Sequence, residues 1–276
     1  MESKKIGFIG AGNMATALIG GLVSDDGIDP KNIVVSDIND NNLNDVEVKF
    51  GVRTSTDNNQ CVANADVIVI CVKPQMMAKI CHEIIDSVSN SQPLVISVAA
   101  GITTDNMTSW LGENTAVVRA MPNTPALISA GATGLYANAK VSTDQKDTAE
   151  KILRSVGVVL WVGKEKEIDY VTALSGSGPA YFFKMMEALE NAAIDLGLEK
   201  ETAHILTLQT ALGAAKLAME SNDSTSALRE KVTSPGGTTE RGLAAMQESG
   251  VDDMFRKTLQ AASDRAEELS NVYGEK

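Results

Sequence analysis

The sequence has few of the residues that mark metal-binding, disulfide-bonded or membrane proteins. Of its 276 residues only 2 are histidine and 3 are cysteine, and no CxxC or HxxxH pair occurs. No apolar run approaches the roughly 18 residues of a transmembrane helix, and the run Ile6–Ile9 is too short for a secretory signal. We therefore expect a cytoplasmic protein with no metal site, no disulfide framework and no membrane segment.

Aromatic residues and positive charge are also scarce. Aromatics make up 4% of the chain and the formal net charge is −12, which argues against binding to nucleic acid or to an anionic membrane. Hydrophobic residues still make up 43%, so the core must be built from Ala, Val, Leu, Ile and Met. A chain of this length suits two domains of moderate size.

The first part of the chain alternates short, continuous apolar runs with helical patterns. Continuous runs are typical of parallel strands that are covered on both faces. The predicted strands are Ile6–Ile9, Ile33–Ser36, Val67–Val72, Leu94–Val98, Ala116–Arg119, Thr133–Ala137 and Val158–Val162, and the predicted helices are Met14–Val23, Gln75–Val88, Thr104–Leu111 and about Asp144–Ser155. This order predicts an α/β fold with a doubly wound parallel sheet.

The second part has no strand pattern. Its predicted helices are Ala180–Leu196, Lys200–Ser221, about Thr239–Ser249 and Asp252–Val272. We place the boundary between a dinucleotide-binding domain at 1–164 and an all-α domain at 165–276. The helix Lys200–Ser221 is rich in small residues, which suits either an intersubunit interface or an internal bundle helix. The segment Ser175–Ala180 is either a wall of a substrate site or the start of the next helix, with Pro179 in its first turn.

A dinucleotide fingerprint follows the first strand. Gly10 permits a tight turn, Gly12 allows a pyrophosphate to approach the backbone, and Ala15 lets the helix pack on the strand. Asp37 ends the second strand, where an acid normally bonds the ribose hydroxyls and favours NAD. Ser36 and Asn39 supply neutral groups beside it, so these residues leave the choice between NAD and NADP open.

Three further strand ends are expected to face the coenzyme. Lys73 is either a ribose or phosphate ligand or a solvated lysine. The small residues Ala99–Gly101 leave room for a nicotinamide ring. Asn123 either orients the ring carboxamide or holds its loop through an Asx-turn.

A second glycine-rich loop lies far along the chain. Gly236 and Gly237 let the backbone approach a ligand, and Thr238 and Thr239 open the next helix. The free N–H groups of a helix N-terminus attract anions. This loop therefore predicts a substrate site that is separate from the coenzyme site.

Together these motifs resemble the pyrroline-5-carboxylate reductase family, over essentially the whole chain. The resemblance is carried by IGFIGAGNMATALIGGL, ICVKPQ, SVAAGIT, RAMPNTPALISAGAT, TALSGSGPAYFF and LREKVTSPGGTTERGLAAM. It implies a Rossmann domain followed by a helical domain that interlocks with a partner subunit, with larger rings of dimers in some members. It also implies NADPH- or NADH-dependent reduction of 1-pyrroline-5-carboxylate to L-proline, at a site where the substrate loop of one subunit meets a coenzyme domain.

The resemblance assigns roles to individual residues. The coenzyme residues it implies, with the strand-end residues above, are Ile9, Gly10, Ala11, Gly12, Asn13, Met14, Ser36, Asp37, Asn39, Asn58, Val72, Lys73, Pro74, Ala100 and Asn123. The substrate residues it implies are Glu165, Lys231, Ser234, Gly236, Gly237, Thr238 and Thr239. Two departures from the family stand out: an acid at Asp37, which disfavours tight NADPH binding, and Lys231 where some members carry Asn.

The sequence offers no histidine suited to act as an obligatory acid, so we expect the substrate to react as its iminium, with Thr239 as the catalytic residue that orients the ring nitrogen. Two alternatives are a β-hydroxyacid dehydrogenase or imine reductase of the same plan, and an inactive nucleotide-binding scaffold. The former enzymes carry a catalytic lysine where this chain has Phe182, and the latter predicts a damaged substrate loop.

Overall fold

The computed structural model describes residues 4–24 and 27–274. By compactness these fall into two units: residues 4–177 with 261–274, and residues 178–260. The sequence-based boundary at 164/165 stays a prediction. No helix among the described residues is both long and apolar enough to cross a bilayer.

The first unit is built on one eight-stranded sheet. Its strands are β1 (Ile6–Ile9), β2 (Ile33–Ser36), β3 (Arg53–Ser55), β4 (Val67–Ile70), β5 (Leu94–Ser97), β6 (Val117–Met121), β7 (Gly131–Ala137) and β8 (Gly157–Trp161). The order across the sheet is β3-β2-β1-β4-β5-β6-β7-β8. All neighbours are parallel except β6 and β7.

Helices cover both faces of this sheet. They are α1 (Asn13–Ser24), α2 (Asp40–Phe50), α3 (Asn58–Val62), α4 (Met77–Ser91), α5 (Thr104–Leu111), α6 (Thr143–Arg154) and α7 (Glu167–Val171). One core holds Phe8 and the buried faces of α1, α2 and α6, and the other holds Ile9 and the buried faces of α3, α4 and α5. Neighbouring strand residues point into opposite cores, which confirms the predicted doubly wound sheet.

The second unit is helical. It contains α8 (Gly178–Asp195), α9 (Lys200–Glu220), α10 (Thr225–Lys231), α11 (Thr238–Glu248) and the first part of α12 (Val251–Gly274). Gly197 ends α8 with φ +103°, and the N–H of Leu198 bonds the Ala193 carbonyl at 3.1 Å, as the predicted glycine C-cap requires. The end of α12 belongs to the first unit.

The segment before α8 is a short π-helical stretch, Thr172–Gly176. α8 itself starts at Gly178, so Pro179 lies in its first turn. Proline is tolerated there because the first N–H groups of a helix have no intrahelical partner. The interpretation of this segment as a helix start is therefore correct.

Candidate functional site

The fingerprint loop lies at the topological switch point, between β1 and β4. Gly10 has φ +95°, and a Cβ there would lie 2.7 Å from the Cys71 carbonyl oxygen. A Cβ at Gly12, by contrast, would meet no atom within 4 Å. Gly10 thus serves the fold, whereas Gly12 keeps open a cradle that a pyrophosphate fits.

Asp37 is fixed against this loop. One carboxylate oxygen accepts a hydrogen bond of 2.7 Å from the Ala11 N–H, and the other accepts one of 2.8 Å from the Asn39 N–H. Asn42 adds a longer contact of 3.5 Å. The acid at the end of β2 therefore holds the glycine turn in place, and its charge stands beside the cradle.

Ser36 and Asn58 form a buried polar chain behind the same strand end. The Ser36 hydroxyl donates to Asn58 Oδ1 at 2.8 Å, and Asn58 Nδ2 donates to Glu83 Oε1 at 3.0 Å. These contacts join β2, α3 and α4. Both side chains are committed to the scaffold around the loop.

Lys73 and Pro74 follow β4, and Val72 is half-buried beside them. Lys73 is exposed and begins the 3₁₀ turn Pro74–Met76 without a side-chain cap. Its ammonium is thus available to a ligand at the carboxyl end of the strand.

The loop after β5 carries Ala100, which is half-buried. The next residue, Gly101, has φ +74°, and a Cβ there would lie 3.1 Å from the Leu269 Cβ of α12. The last helix therefore packs directly on this loop and restricts its path.

Asn123 holds its loop. Its amide nitrogen donates to the Ser175 carbonyl at 3.0 Å, and its oxygen accepts from the Ala132 N–H at 2.9 Å. Of the two roles proposed for this side chain, the structure shows the loop-holding one. It does so through partners distant in sequence and not through a local Asx-turn.

Glu165 lies in a charged cluster of the first unit. One oxygen accepts from the Thr104 N–H at 2.6 Å and the other from the Thr104 hydroxyl at 2.7 Å. Arg119 of β6 lies 3.6 Å from Glu165 and forms a 2.8 Å ion pair with Asp169. Arg119 is 3% exposed, and its Nε is the one buried side-chain polar atom that lacks a partner among the described residues.

The cluster continues to the surface through Lys166. Its ammonium lies 3.5 Å from Asp169 and 2.6 Å from Glu267 of α12. The bond to Glu267 raises the pKa of Lys166. No sequence motif predicted the contacts of Arg119, Thr104 or Asp169, although an arginine within an apolar strand pattern indicates a buried ion pair.

The second glycine-rich loop lies in the helical unit, between α10 and α11. Gly236 has φ +72°, and Gly237 precedes α11 with no side chain capping that helix. The Glu240 carboxylate accepts from the Gly236 N–H at 2.8 Å, which braces the turn. Ser234, Thr238 and Thr239 are exposed, so the helix N-terminus is accessible to an anion.

Lys231 ends α10, and its ammonium forms an ion pair with Asp223. Both side chains are exposed. The positive charge of Lys231, which the resemblance places among the substrate residues, is therefore balanced within the same unit.

The remaining candidate groups lie apart from these loops. His82 is exposed on α4, and His204 contacts Glu190 at 3.0 Å between α9 and α8. Cys61 is buried, which raises the pKa of its thiol to about 11. Within residues 4–24 and 27–274, no three acidic, His or Cys side chains are grouped as a metal site would need.

Two family models match the chain. One, described as pyrroline-5-carboxylate reductase dimerisation, covers residues 165–269, and one described as NADP oxidoreductase, coenzyme F420-dependent, covers residues 5–101. The first match includes the SPGGTT loop and the second includes the fingerprint loop and Ala100.

Full-length relatives carry the same assignment. A curated pyrroline-5-carboxylate reductase of Pseudomonas aeruginosa is 46% identical over 275 residues, which cover 100% of both chains. A solved pyrroline-5-carboxylate reductase from Coxiella burnetii is 49% identical, with a TM-score of 0.93 over 97% of this chain and 99% of that one. A Plasmodium falciparum pyrroline carboxylate reductase solved with NADP bound is 28% identical, with a TM-score of 0.86 over 98% and 99% of the two chains.

Proposed function

This chain belongs to the pyrroline-5-carboxylate reductase family, and from that premise we propose which of its residues bind coenzyme and substrate. It is an oxidoreductase that reduces 1-pyrroline-5-carboxylate to L-proline with NAD(P)H, the last step of proline biosynthesis. The observation that carries the assignment is identity of 46% along the whole length of both chains.

The coenzyme site is proposed at the carboxyl ends of β1, β2, β4, β5 and β6. Gly12 and the N-terminus of α1 suit a pyrophosphate, because the cradle is open and no acidic residue lies in the first turn of that helix. Lys73 and Ala100 suit the nicotinamide side. The other proposed coenzyme residues are Ile9, Gly10, Ala11, Asn13, Met14, Ser36, Asp37, Asn39, Asn58, Val72, Pro74 and Asn123.

The substrate is proposed to bind at the loop before α11. Its carboxylate would accept hydrogen bonds from backbone N–H groups around Gly237–Thr239, where the partial positive charge of a helix N-terminus favours an anion. Support comes from the uncapped start of α11 and the exposure of both threonines. Ser234, Gly236 and Lys231 are proposed to shape the same site.

The chemistry follows from the substrate's C=N bond. Protonation of the ring nitrogen gives the neighbouring carbon cationic character, and the reduced nicotinamide supplies the hydride. Thr239 is proposed to orient the ring nitrogen through its hydroxyl. No histidine is needed as an acid, and the catalytic effect is mainly the positioning of the reacting carbon against the coenzyme.

Self-association involves the matched dimerisation region. We further propose, from the resemblance, that active sites are completed between subunits, that dimers assemble into larger rings, and that the enzyme works in the cytoplasm. Size measurement by light scattering would separate a dimer from a ring of dimers.

A spectrophotometric assay tests the function. The purified chain should oxidise NADPH or NADH in the presence of 1-pyrroline-5-carboxylate, and should not reduce NAD(P)+ in the presence of 3-hydroxy acids. Turnover of a 3-hydroxy acid, without turnover of the imine, would instead identify a β-hydroxyacid dehydrogenase. Coenzyme binding without either activity would identify an inactive scaffold.

A further inference from the structure

Glu165 contacts the residue that follows the loop containing Ala100, a proposed coenzyme residue. Its carboxylate receives both the N–H and the hydroxyl of Thr104, at 2.6 and 2.7 Å. Thr104 is the first residue of α5 and is 3% exposed. The preceding loop, residues 98–103, runs from the end of β5 to this point and contains Ala100.

A carboxylate suits the position that Glu165 occupies at the N-terminus of α5. The first N–H groups of a helix lack intrahelical partners, and a carboxylate there is stabilised by the helix dipole. The N-terminus of α5 already has its own capping box between Thr103 and Asn106. Glu165 therefore adds a second, long-range tie, which crosses 61 residues of sequence.

Arg119 lies near the same Glu165 oxygen that accepts from the Thr104 N–H. The guanidinium lies 3.6 Å from the Glu165 carboxylate and is itself fixed to Asp169 at 2.8 Å. Arg119 sits in β6, the strand beside β5. Glu165 thus bridges the rigid sheet and the start of α5, and so fixes one end of the Ala100 loop.

We propose that Glu165 is a positioning residue for the nicotinamide side of the coenzyme site and acts through Thr104. This inference rests on the coenzyme site proposed above. In this role Glu165 does not contact the substrate directly. It fixes the path of residues 98–103, and that path determines the orientation of the nicotinamide ring. Misplacement of a reacting group by about 1 Å can cost about a hundredfold in rate.

The test compares matched variants at both ends of the bond. Glu165→Ala should lower kcat about ten- to a hundredfold and weaken NADPH binding a few-fold, while KM for pyrroline-5-carboxylate stays within about threefold. Thr104→Val keeps the shape but removes the hydroxyl and should reproduce part of the loss. Thr104→Ser keeps the hydroxyl and should restore near-wild-type kcat.

The double variant Glu165→Ala/Thr104→Val decides between the two roles. If Glu165 acts through Thr104, the double variant should be no slower than Glu165→Ala alone. The proposal would be overturned if the loss of kcat in the double variant equalled the product of the losses in the two single variants. A tenfold rise in KM with kcat and NADPH affinity unchanged would instead indicate direct substrate contact. Unchanged kinetics in Glu165→Ala would also overturn it.

Two controls keep the outcome interpretable. If Glu165→Ala does not fold, Thr104→Val and Thr104→Ser decide the proposal, because they remove and retain the hydroxyl that donates to Glu165 and leave the carboxylate unchanged. An inactive wild type would contradict the proposed function and not the positioning role. A fluorescence titration with NADPH alone then still shows whether the variants weaken coenzyme binding, which the positioning role predicts.

Discussion

The Asp37 carboxylate accepts a 2.7 Å hydrogen bond from the Ala11 N–H. This bond ties the end of β2 to the glycine turn after β1. Asp37, which is expected to bond the hydroxyls of the coenzyme ribose, therefore also stabilises the proposed pyrophosphate-binding loop. Asp37 therefore sets both the local negative charge and the position of the loop. Its substitution by Asn and by Ala tests these two effects.

Asp37→Asn removes the charge and keeps one oxygen that can accept from the Ala11 N–H, but it loses the bond from the Asn39 N–H. A like charge close to a 2′-phosphate costs on the order of 1 kcal/mol or more near a protein surface, so NADPH affinity should rise about three- to tenfold relative to NADH. Asp37→Ala also removes the acceptor and should weaken both coenzymes. Fluorescence titrations measure both constants, and an unchanged NADPH-to-NADH ratio in Asp37→Asn would contradict the role of the charge.

Gly10 and Gly12 should separate folding from coenzyme binding. Gly10→Ala places a methyl group 2.7 Å from the Cys71 carbonyl oxygen at φ +95°, so Tm should fall, since the backbone strain alone costs about 1–2 kcal/mol. Gly12→Ala meets no protein atom within 4 Å, so Tm should stay near wild type while coenzyme affinity falls. Equal thermal stability of the two variants would refute this division.

Thr239→Ala should lower kcat/KM about ten- to a hundredfold, because one hydrogen bond to the substrate, worth on the order of 1–3 kcal/mol, is lost. NADPH binding should survive. Thr239→Ser retains the hydroxyl and should recover most of the activity. Wild-type kcat/KM in Thr239→Ala would remove this residue from the mechanism.

Loss of the buried ion pair between Arg119 and Asp169 should lower the free energy of unfolding more than loss of an exposed ion pair does. Arg119→Met leaves a carboxylate that is 4% exposed without its 2.8 Å partner, a loss of about 3–5 kcal/mol in the free energy of unfolding. Arg154→Ala breaks an exposed pair with Glu150 and should cost under about 1 kcal/mol. Urea unfolding at one fixed protein concentration compares them, and similar midpoints for both variants would disprove the contrast.

The buried thiols should be inert in the folded protein. Burial raises the pKa of Cys61 to about 11 and that of Cys81 to about 12, so the thiolate is scarce at pH 8. In a Cys71→Ser background, a thiol reagent should label both residues only after unfolding. The same burial affects stability. Because the pKa of Cys61 is higher in the folded than in the unfolded protein, the protonated thiol's contribution to the free energy of unfolding is complete below about pH 9 and is lost as the pH rises towards 11. Rapid labelling of the native protein at pH 8 would contradict the burial.

Local pattern predicted much of the fold, although it did not predict every element. β1, β2 and α5 have the predicted bounds. The helix α2 was missed because DNNLNDVEVKF is polar around most of its surface and buries only Leu43 and Val46. The seven-residue α10 was also missed, since it is too short to show a helical period.

The sequence by itself determined the doubly wound sheet and the two glycine-rich loops, because these depend on local periodicity and on glycines at fixed spacing. It determined the family through the resemblance of its motifs to those of known members. Only the tertiary structure decided the partners of the charged groups. Glu165 meets Thr104 across 61 residues, and Arg119 meets Asp169 across 50. Such pairs depend on which strand ends and helix starts the sheet order brings together, and no local pattern in the chain records that order.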